Sequence, residues 1–428
     1  MRILIKNVSC LTMEEPISIK ENTNVGIQED RIAFVGDIPD DFHADEVLDG
    51  RDKLLMPGLV NAHTHIAMSL FRNYAEDVAF WPWLTEKILP LEEHLIPEHV
   101  YAGSLLSQAE MICFGITSFA DMYFFMDETA KATELSGMRG LLARSVVSGD
   151  KQEEKLRESL EFHDNWNGRA DGRIMVCSAP HAIYSCNGEY LQQIIRESTK
   201  RDMRIHIHLS ESKKEVEDCI NQYGVSPVEY LKQLGMFDLP TMVAHGVHLS
   251  EQDMDILKEC HVSVINNPTS NLKLGNGFAP IHELLTKGVN VALGTDGSAS
   301  NNNLNLFEEM HLAGILNKGV HLDSTVVPST DVVKMATING ARAMGLEKVG
   351  QITPGWKADM ILIDLNQPHF FPRFQLIPSL IYSAQASDVH TVIIDGKIVM
   401  KDREILTFDL EKACFECERM AKDLVDRQ

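Results

Sequence analysis

The sequence predicts an α/β protein whose main part is a closed (β/α)8 (TIM) barrel, flanked by a small β-sandwich domain built from both termini. In the central part, eight strand-like runs alternate with amphipathic helical stretches. Both ends instead contain short alternating strands separated by Asp, Gly and Asn turns. At 428 residues, of which 44% are hydrophobic, the chain is long enough for one such barrel with appendages.

The prediction of the barrel depends on the order of its elements. Stretches such as GEYLQQIIRESTKR and APIHELLTKG place apolar residues at helical spacing between the strand-like runs. The order β then α occurs eight times, which indicates parallel strands with helical crossovers; a doubly wound open sheet is the weaker alternative. The strand-like runs are 58–65, 116–122, 140–147, 173–181, 204–209, 241–248, 261–266 and 290–296.

The two ends of the sequence have a different pattern from the centre. KADMILIDL and HTVIIDGKIVMKDREI near the C-terminus resemble the short strands at the start of the chain, and neither end has enough strands for a core of its own. We therefore expect the ends to pair into one β-sandwich domain of residues 1–56 and 351–428. The barrel would then occupy residues 57–350.

Charge and composition exclude several classes of partner. The chain has 39 Lys and Arg against 62 Asp and Glu, and its net charge of −23 opposes binding to nucleic acid or to an anionic membrane surface. The sequence shows neither a signal-peptide pattern nor a run of about 18 apolar residues. Its eight cysteines lack the spacing of a disulfide framework. We expect a cytoplasmic protein with free thiols and no nucleic-acid or membrane partner.

Histidines lie at the ends of the first and fifth predicted strands, on the side where barrels of this kind hold their active sites. His63 and His65 are two apart on the first strand and therefore point to the same face. On the fifth strand, His206 and His208 alternate with apolar residues, which turns both histidines inward. His206 has no matching ligand role, and we interpret it as a supporting or core residue.

Two further strands end in residues of the same kind. The sixth strand ends at His245 and the eighth at Asp296, so all of these groups would converge at one mouth of the barrel. Imidazoles with one carboxylate suit Zn²⁺, or less favourably Fe²⁺, with one position left for water. We expect one Zn²⁺ per subunit, lowering the pKa of that water toward ~7.

Five motifs carry a resemblance to a known family. PGLVNAHTH, HLSE at 208–211, VAHGVHL, NNPTSNLKLGNG and GTDGSASNN resemble the amidohydrolase superfamily, in particular its mononuclear-metal aminohydrolases. Within that branch the sequence is most similar to the 5′-methylthioadenosine/S-adenosylhomocysteine deaminases. The resemblance covers nearly the whole chain. It implies hydrolysis of the 6-amino group of adenosine derivatives to the inosine counterpart and ammonia.

The resemblance also implies roles for individual residues. Glu211 matches the glutamate that shuttles a proton to purine N1, and His245 matches the histidine that orients the attacking water. Asp296 would accept the proton of that water and pass it to the departing amine. These roles supply the proton transfers that displacement of an amine requires. The residues that match metal ligands are His63, His65, His208 and Asp296.

Substrate contacts are implied in the same way. Glu92 matches the carboxylate that binds the ribose hydroxyls, Trp83 would pack beside the sugar or base, and His181 matches a substrate-contacting residue. Arg144 matches an arginine that binds the carboxylate of the homocysteine tail. Where the family has a second arginine, this sequence has Lys155, with Arg157 nearby, and a lysine lacks bidentate geometry.

Other functions remain as alternatives. Another mononuclear-zinc aminohydrolase, acting on guanine, cytosine or a triazine, would use the same metal residues, but a free base would need neither Glu92 nor Arg144. A non-catalytic, dihydropyrimidinase-like scaffold is disfavoured by the complete catalytic set. A binuclear enzyme would carry a carboxylated lysine at the end of the fourth strand, where this chain has His181. The resemblance further suggests a small-molecule adenosyl substrate and a homo-oligomer.

Overall fold

The computed structural model describes residues 1–427, and its strands fall into a barrel group and a terminal group. The strands are β1 (Arg2–Leu11), β2 (Ile19–Gln28), β3 (Arg31–Val35), β4 (Glu46–Asp49), β5 (Lys53–Pro57), β6 (Leu59–Thr64), β7 (Ile116–Tyr123), β8 (Arg139–Val146), β9 (Ile174–Val176), β10 (Ala179–Pro180), β11 (Ile205–Leu209), β12 (Thr241–His245), β13 (Ser263–Asn266), β14 (Asn290–Leu293), β15 (Met360–Asp364), β16 (Val389–Ile394), β17 (Lys397–Lys401) and β18 (Glu404–Ile405).

Helices follow the barrel strands and cover the barrel from outside. In residues 1–427 none of them is long and apolar enough to cross a membrane. The longer helices are Pro97–Cys113, Met126–Ser136, Gln152–Trp166, Gly188–Lys200, Lys213–Tyr223, Glu251–Glu259, Leu306–His321 and Leu410–Asp426. The shorter ones are Ile66–Phe71, Phe80–Pro82, Trp83–Ile88, Leu89–Glu92, Arg169–Gly172, Pro227–Gln233, Met236–Asp238, Pro268–Lys273, Ile281–Lys287, Ser329–Met335, Ile338–Met344, Pro368–Phe370, Leu376–Tyr382 and Ala386–Asp388.

The predicted barrel is confirmed. β6 to β10 form one parallel sheet and β11 to β14 another. A parallel bridge between Ser178 and Ile205 joins the two sheets on one side. On the other side, the Asp296 amide donates to the His63 carbonyl at 3.0 Å, which closes the ring just beyond β14. The fourth predicted strand is present as β9 and β10, both paired with β8.

Side chains alternate between the inside and the outside of the barrel, as the strand period requires. Those pointing outward pack under the helices. Those pointing inward form a separate apolar core cluster. The inward residues include Ala120, Met122, Leu141, Ala143, Cys177, Ala179, Met242, Ile265 and Ala292.

The terminal strands form one continuous nine-stranded sheet that draws on both ends of the chain. β5 pairs in parallel with β1 and antiparallel with β15, which joins the N-terminal strands to the C-terminal ones. The sheet also folds over: the Ile32 amide in β3 donates to the Trp356 carbonyl at 2.9 Å, just before β15. The predicted sandwich is therefore a single sheet wrapped around its own apolar core, which includes Ile3, Ile27 and Met360.

The sheet is attached to the barrel by buried polar contacts. The Arg139 guanidinium, at the start of β8, donates to both oxygens of Asp359 at 2.8 and 3.2 Å and to Asp395 at 3.0 Å. The helix Leu410–Asp426 lies outside the sheet and packs against the barrel helix Pro97–Cys113. The division into 1–56 with 351–428 and 57–350 stays a prediction, and its last residue, Gln428, lies outside the described residues.

Candidate active site

A cavity of about 440 Å³ opens at the carboxyl ends of the barrel strands. Its floor is polar and its walls are largely apolar, the usual character of a site for a small organic ligand. His63 is fully buried beneath this floor. The predicted site residues that line the cavity are His65, Trp83, Glu92, His181, His208, Glu211, His245 and Asp296.

Four predicted metal ligands converge at the cavity floor. His65 Nε2 lies 3.2 Å from His208 Nε2 and 3.3 Å from Asp296 Oδ1. His63 Nε2 lies 3.5 Å from the same carboxylate oxygen and, although buried, has no hydrogen-bond partner among residues 1–427. A buried ring nitrogen without a partner is costly, and a cation would satisfy it. These residues are a candidate metal site.

Hydrogen bonds at the opposite ring nitrogens orient these ligands. The Nδ1 atoms of His65 and His208 lie 2.7 and 2.8 Å from the backbone carbonyls of Met122 and His181. A carbonyl only accepts, so each Nδ1 carries the hydrogen and each Nε2 presents its lone pair to the metal site. Burial lowers the pKa of both imidazoles, which keeps them neutral as a metal requires.

His63 obtains the same orientation from His206. His63 Nδ1 lies 2.9 Å from His206 Nε2, and donation from Nδ1 leaves His63 Nε2 free for the metal. Burial lowers the pKa of His63 to about 3, although Asp296 acts in the opposite direction. The structure thus places His206 behind a ligand, in agreement with its predicted supporting position.

Asp296 has a fixed and ionised carboxylate. Its Oδ1 accepts from the Gly297 amide at 2.7 Å, and its Oδ2 accepts from the hydroxyls of Ser270 and Ser300 at 2.6 and 2.8 Å. Burial acts to raise the pKa of Asp296, but the surrounding histidines, above all His63, outweigh burial and hold this pKa well below its usual range. Sequence reasoning missed both serines, although each lies in a motif that was singled out.

Glu211 and His245 face each other beside the metal site. His245 Nε2 lies 3.8 Å from Glu211 Oε2. The amide groups of Asn271 and Asn276 hold the pair: Asn271 Oδ1 lies 2.8 Å from His245 Nδ1, and Asn276 donates to Glu211 Oε1 at 3.0 Å. Burial raises the pKa of Glu211 well above its usual value, and Asp296 raises it further. Glu211 can therefore hold a transferable proton near neutral pH.

A second carboxylate holds the turn that carries Glu211. The two oxygens of Glu215 accept from the backbone amides of Ser210 and Glu211, each at 2.9 Å. Ser210 has a φ of 51°, in the left-handed region that a serine rarely adopts. Glu215 therefore stabilises an unfavourable backbone conformation directly beside the proton-carrying side chain.

The substrate side of the cavity combines aromatic walls with one buried carboxyl group. Trp83 comes from the helical segment after β6, and its ring stacks on Phe80 with centroids 6.3 Å apart. Glu92 Oε1 accepts from the Tyr123 hydroxyl at 2.6 Å, a contact that sequence reasoning missed. Burial raises the pKa of Glu92 to about 7, and this hydrogen bond opposes the rise. His181 forms another part of the lining.

Arg144 is the one predicted site residue that lies neither in this cavity nor beneath its floor. It lines a neighbouring cavity of about 390 Å³ and donates to Glu158 Oε2 from Nε at 3.1 Å and from Nη2 at 2.9 Å. The period of β8 explains this position, because Leu142 and Val146, two residues to either side, pack outside the barrel. Ser145 has the opposite parity and does line the active cavity.

The basic residues considered for the homocysteine carboxylate also lie outside the active cavity. Both Lys155 and Arg157 are on the helix Gln152–Trp166, and neither is among the lining residues of the two neighbouring cavities. Arg157 is exposed and pairs with Glu161 at 3.6 Å on the same helix. In the described chain, no arginine or lysine lines the active cavity.

The fold and the site together define a metal-dependent hydrolase barrel. A model described as the amidohydrolase family matches residues 54–399, and the chain belongs to that family. The resemblance inferred from the motifs is confirmed. The match begins within β5 and ends within β17, so it covers the barrel and part of the terminal sheet.

Relatives with assigned activities are similar over the whole chain. The 5-methylthioadenosine/S-adenosylhomocysteine deaminase of Thermoanaerobacter pseudethanolicus is 52% identical over 431 residues and covers 100% of both chains. The protein of the same name from Caldanaerobacter subterraneus subsp. tengcongensis is 51% identical over 429 residues and covers 99% of both. An adenosine deaminase structure from Xanthomonas campestris with bound zinc has a TM-score of 0.95 at 33% identity, covering 99% of this chain and 98% of that one.

Proposed function

We propose that this chain is a metal-dependent deaminase that hydrolyses the 6-amino group of 5′-methylthioadenosine, S-adenosylhomocysteine or adenosine, giving the inosine counterpart and ammonia. One observation carries the proposal: the His and Asp donor set, the Glu211–His245 pair and the buried carboxyl of Glu92 share one cavity. The names of the similar deaminases support the same activity.

We propose Zn²⁺ as the metal, one per subunit, held by His63, His65, His208 and Asp296. Three neutral imidazole nitrogens and one carboxylate oxygen suit Zn²⁺, with Fe²⁺ as the less favoured alternative. The zinc in the similar adenosine deaminase supports this choice. When bound, Zn²⁺ supplies Lewis acidity that lowers the pKa of water to about 7.

The chain's own residues then move the protons. Asp296 is ionised and fixed by three donors, so it can accept the proton of the attacking water and pass it to the leaving amine. Glu211 retains a proton because of burial, and it would donate that proton to the purine ring nitrogen. His245, whose Nδ1 faces Asn271, would turn Nε2 toward the reacting oxygen.

The substrate would lie between the polar floor and the aromatic wall. Glu92, oriented by Tyr123, would accept hydrogen bonds from the ribose 2′ and 3′ hydroxyls. Trp83 would pack against the nucleoside, and His181, whose Nδ1 lies 3.0 Å from the Ser185 hydroxyl, would contact the base. A free base or a triazine has no ribose hydroxyls to donate to Glu92, which disfavours those substrates. A scaffold without catalysis would not need these proton-carrying groups.

The decisive experiment measures ammonia release from zinc-loaded protein with adenosine, 5′-methylthioadenosine, S-adenosylhomocysteine, guanine and cytosine. We expect turnover of nucleosides only, loss of turnover after chelation, and recovery when Zn²⁺ is restored. Activity on a free base alone would overturn the proposed pocket. Inactivity on all five from metal-replete protein would overturn the deaminase assignment.

A single substitution tests the proposed proton transfer. Glu211→Gln keeps an oxygen for Asn276 but has no proton to give, so we expect kcat to fall by about 10²- to 10⁴-fold. Zinc content, measured by mass spectrometry, should stay at one per subunit. Glu217→Gln, an exposed change on the next helix, is the control and should alter neither quantity. Equal loss of metal and activity in Glu211→Gln would contradict the proposed role.

A further inference from the structure

The charge of the active cavity bears on which adenosyl substrates it accepts. The described lining contains three carboxyl groups, Glu92, Glu211 and Asp296, and it contains neither lysine nor arginine. Apart from the proposed metal at the floor, a substrate group that carries a negative charge would therefore lose water without gaining a cationic side chain as a partner inside the cavity. This disfavours a carboxylate on the part of the substrate that lies within the cavity.

The position of the wall suggests where the 5′ group of a nucleoside would lie. Glu92 is held by Tyr123, and the next residue, Phe124, lines both the active cavity and its neighbour. A ribose bound at Glu92 would direct its 5′ group along Phe124. Leu89 and Val147 also line the active cavity, whose walls are largely apolar. Such a surface matches a methylthio group.

Arg144 is the cation behind this wall, and each of its three guanidinium nitrogens already donates one hydrogen bond. Nε and Nη2 donate to Glu158, Nη1 donates to the backbone carbonyl of Ser145, and the guanidinium lies 5.2 Å from the centre of the Phe124 ring. All three nitrogens therefore already have acceptors. The small cavity around Arg144 also contains Asp127, so the acidic side chains there outnumber the cation.

We infer that Glu158 is a specificity-determining residue: by occupying Arg144, it favours adenosyl substrates with a neutral, apolar 5′ group over those whose 5′ tail ends in a carboxylate. This inference rests on the proposed deaminase function and refines its substrate class. The carboxylate of a homocysteine tail would have to compete with Glu158 for Arg144. The methylthio group of 5′-methylthioadenosine needs no such displacement.

The first test compares three substrates that differ only in the 5′ tail. They are 5′-methylthioadenosine, S-adenosylhomocysteine and 5′-S-(3-aminopropyl)-5′-thioadenosine, which is the homocysteine compound without its carboxylate. We expect kcat/KM for S-adenosylhomocysteine to be lowest, by at least about tenfold relative to 5′-methylthioadenosine. The aminopropyl compound separates the effect of charge from that of length, and it should be turned over better than S-adenosylhomocysteine.

The second test removes the carboxylate that pairs with Arg144. Glu158 is about half exposed, so Glu158→Gln should fold normally, and equal melting temperatures would verify this. Because partly exposed ion pairs are weak, we expect kcat/KM for S-adenosylhomocysteine to rise about fivefold, while that for 5′-methylthioadenosine stays within about twofold. Glu161→Gln is the matched control: it removes the same charge from the same helix, where Glu161 pairs with Arg157 instead.

The outcomes separate this inference from the function on which it rests. Ammonia release from 5′-methylthioadenosine together with equal or better turnover of S-adenosylhomocysteine in the unaltered enzyme would overturn the inference alone. A fall in S-adenosylhomocysteine turnover in Glu158→Gln would show that Glu158 binds the tail, and an equal rise in Glu161→Gln would show a general charge effect; either would overturn it. Inactivity on every nucleoside would overturn both the deaminase function and the inference.

Discussion

Removal of Arg139 should destabilise the whole fold, because this side chain joins the barrel to the terminal sheet. Its guanidinium makes three hydrogen bonds to Asp359 and Asp395, and all three residues are almost completely buried. In Arg139→Met, Asp395 would keep the ammonium of Lys357 at 2.8 Å. Asp359 would keep only a backbone amide, from Asp395 at 2.7 Å, and would become a buried carboxylate without a cation.

The expected loss of stability in Arg139→Met follows from the single unpaired charge on Asp359. Breaking a buried ion pair by removing one partner costs about 3–5 kcal/mol. A chain of 428 residues has an unfolding entropy of roughly 0.9 kcal/mol/K at about 2.1 cal/mol/K per residue. The melting temperature of Arg139→Met should therefore fall by about 3–6 °C.

Calorimetry on the metal-loaded protein measures this change, and two variants control it. Arg51→Met breaks the exposed Arg51–Asp49 pair and should leave the melting temperature unchanged. The double variant Arg139→Met with Asp359→Asn removes the unpaired charge and should recover about half of the loss. A shift below 1 °C in Arg139→Met, or no recovery in the double variant, would refute the account of a buried pair at this junction.

Two further substitutions test the electrostatics of buried carboxyl groups. Tyr123→Phe removes the hydrogen bond that lowers the pKa of Glu92, so the carboxyl should be protonated over more of the neutral range. The KM for 5′-methylthioadenosine should then rise about tenfold. A KM of this variant that is unchanged between pH 6 and 8 would contradict this expectation. Burial raises the pKa of Glu309 to about 7, so its contribution to stability is fully present below about pH 4.5 and is lost as the pH rises toward 7. Relative to wild type, Glu309→Gln should therefore gain about 3 kcal/mol in free energy of unfolding between pH 5 and pH 8. If urea titrations show the same difference in stability between wild type and Glu309→Gln at both pH values, Glu309 does not retain a proton in the folded state.

The parts of this structure that follow from local sequence patterns could be predicted. Strand periodicity placed His63 with His65 and turned His208 inward, because alternation along a strand fixes the face on which a side chain lies. The motif resemblance supplied the other residues at the cavity floor. The same alternation would have shown that Arg144 lies outside the barrel, since it shares its parity with Leu142.

Contacts between segments that are far apart in sequence could not be predicted. Ser270, in the helix Pro268–Lys273 after β13, and Ser300, in a turn after β14, meet at Asp296, and nothing in their local sequence distinguishes them from ordinary surface serines. The Tyr123 hydroxyl, on β7, reaches Glu92 at the end of a short helix 31 residues earlier in the chain. Such pairs depend on three-dimensional packing that one sequence does not reveal.

The position of β5 in the terminal sheet has a consequence for biosynthesis. β5 pairs with β15, whose first residue follows β5 by roughly 300 positions, so ribosomes adding about 5–20 residues per second need roughly 15–60 s to supply the partner. During that interval the edge Lys53–Pro57, which contains two leucines and a methionine, lacks its neighbour on the C-terminal side. An apolar unpaired edge invites association between nascent chains. Chaperone demand during translation should therefore centre on the first 57 residues, and it should end when β15 leaves the exit tunnel.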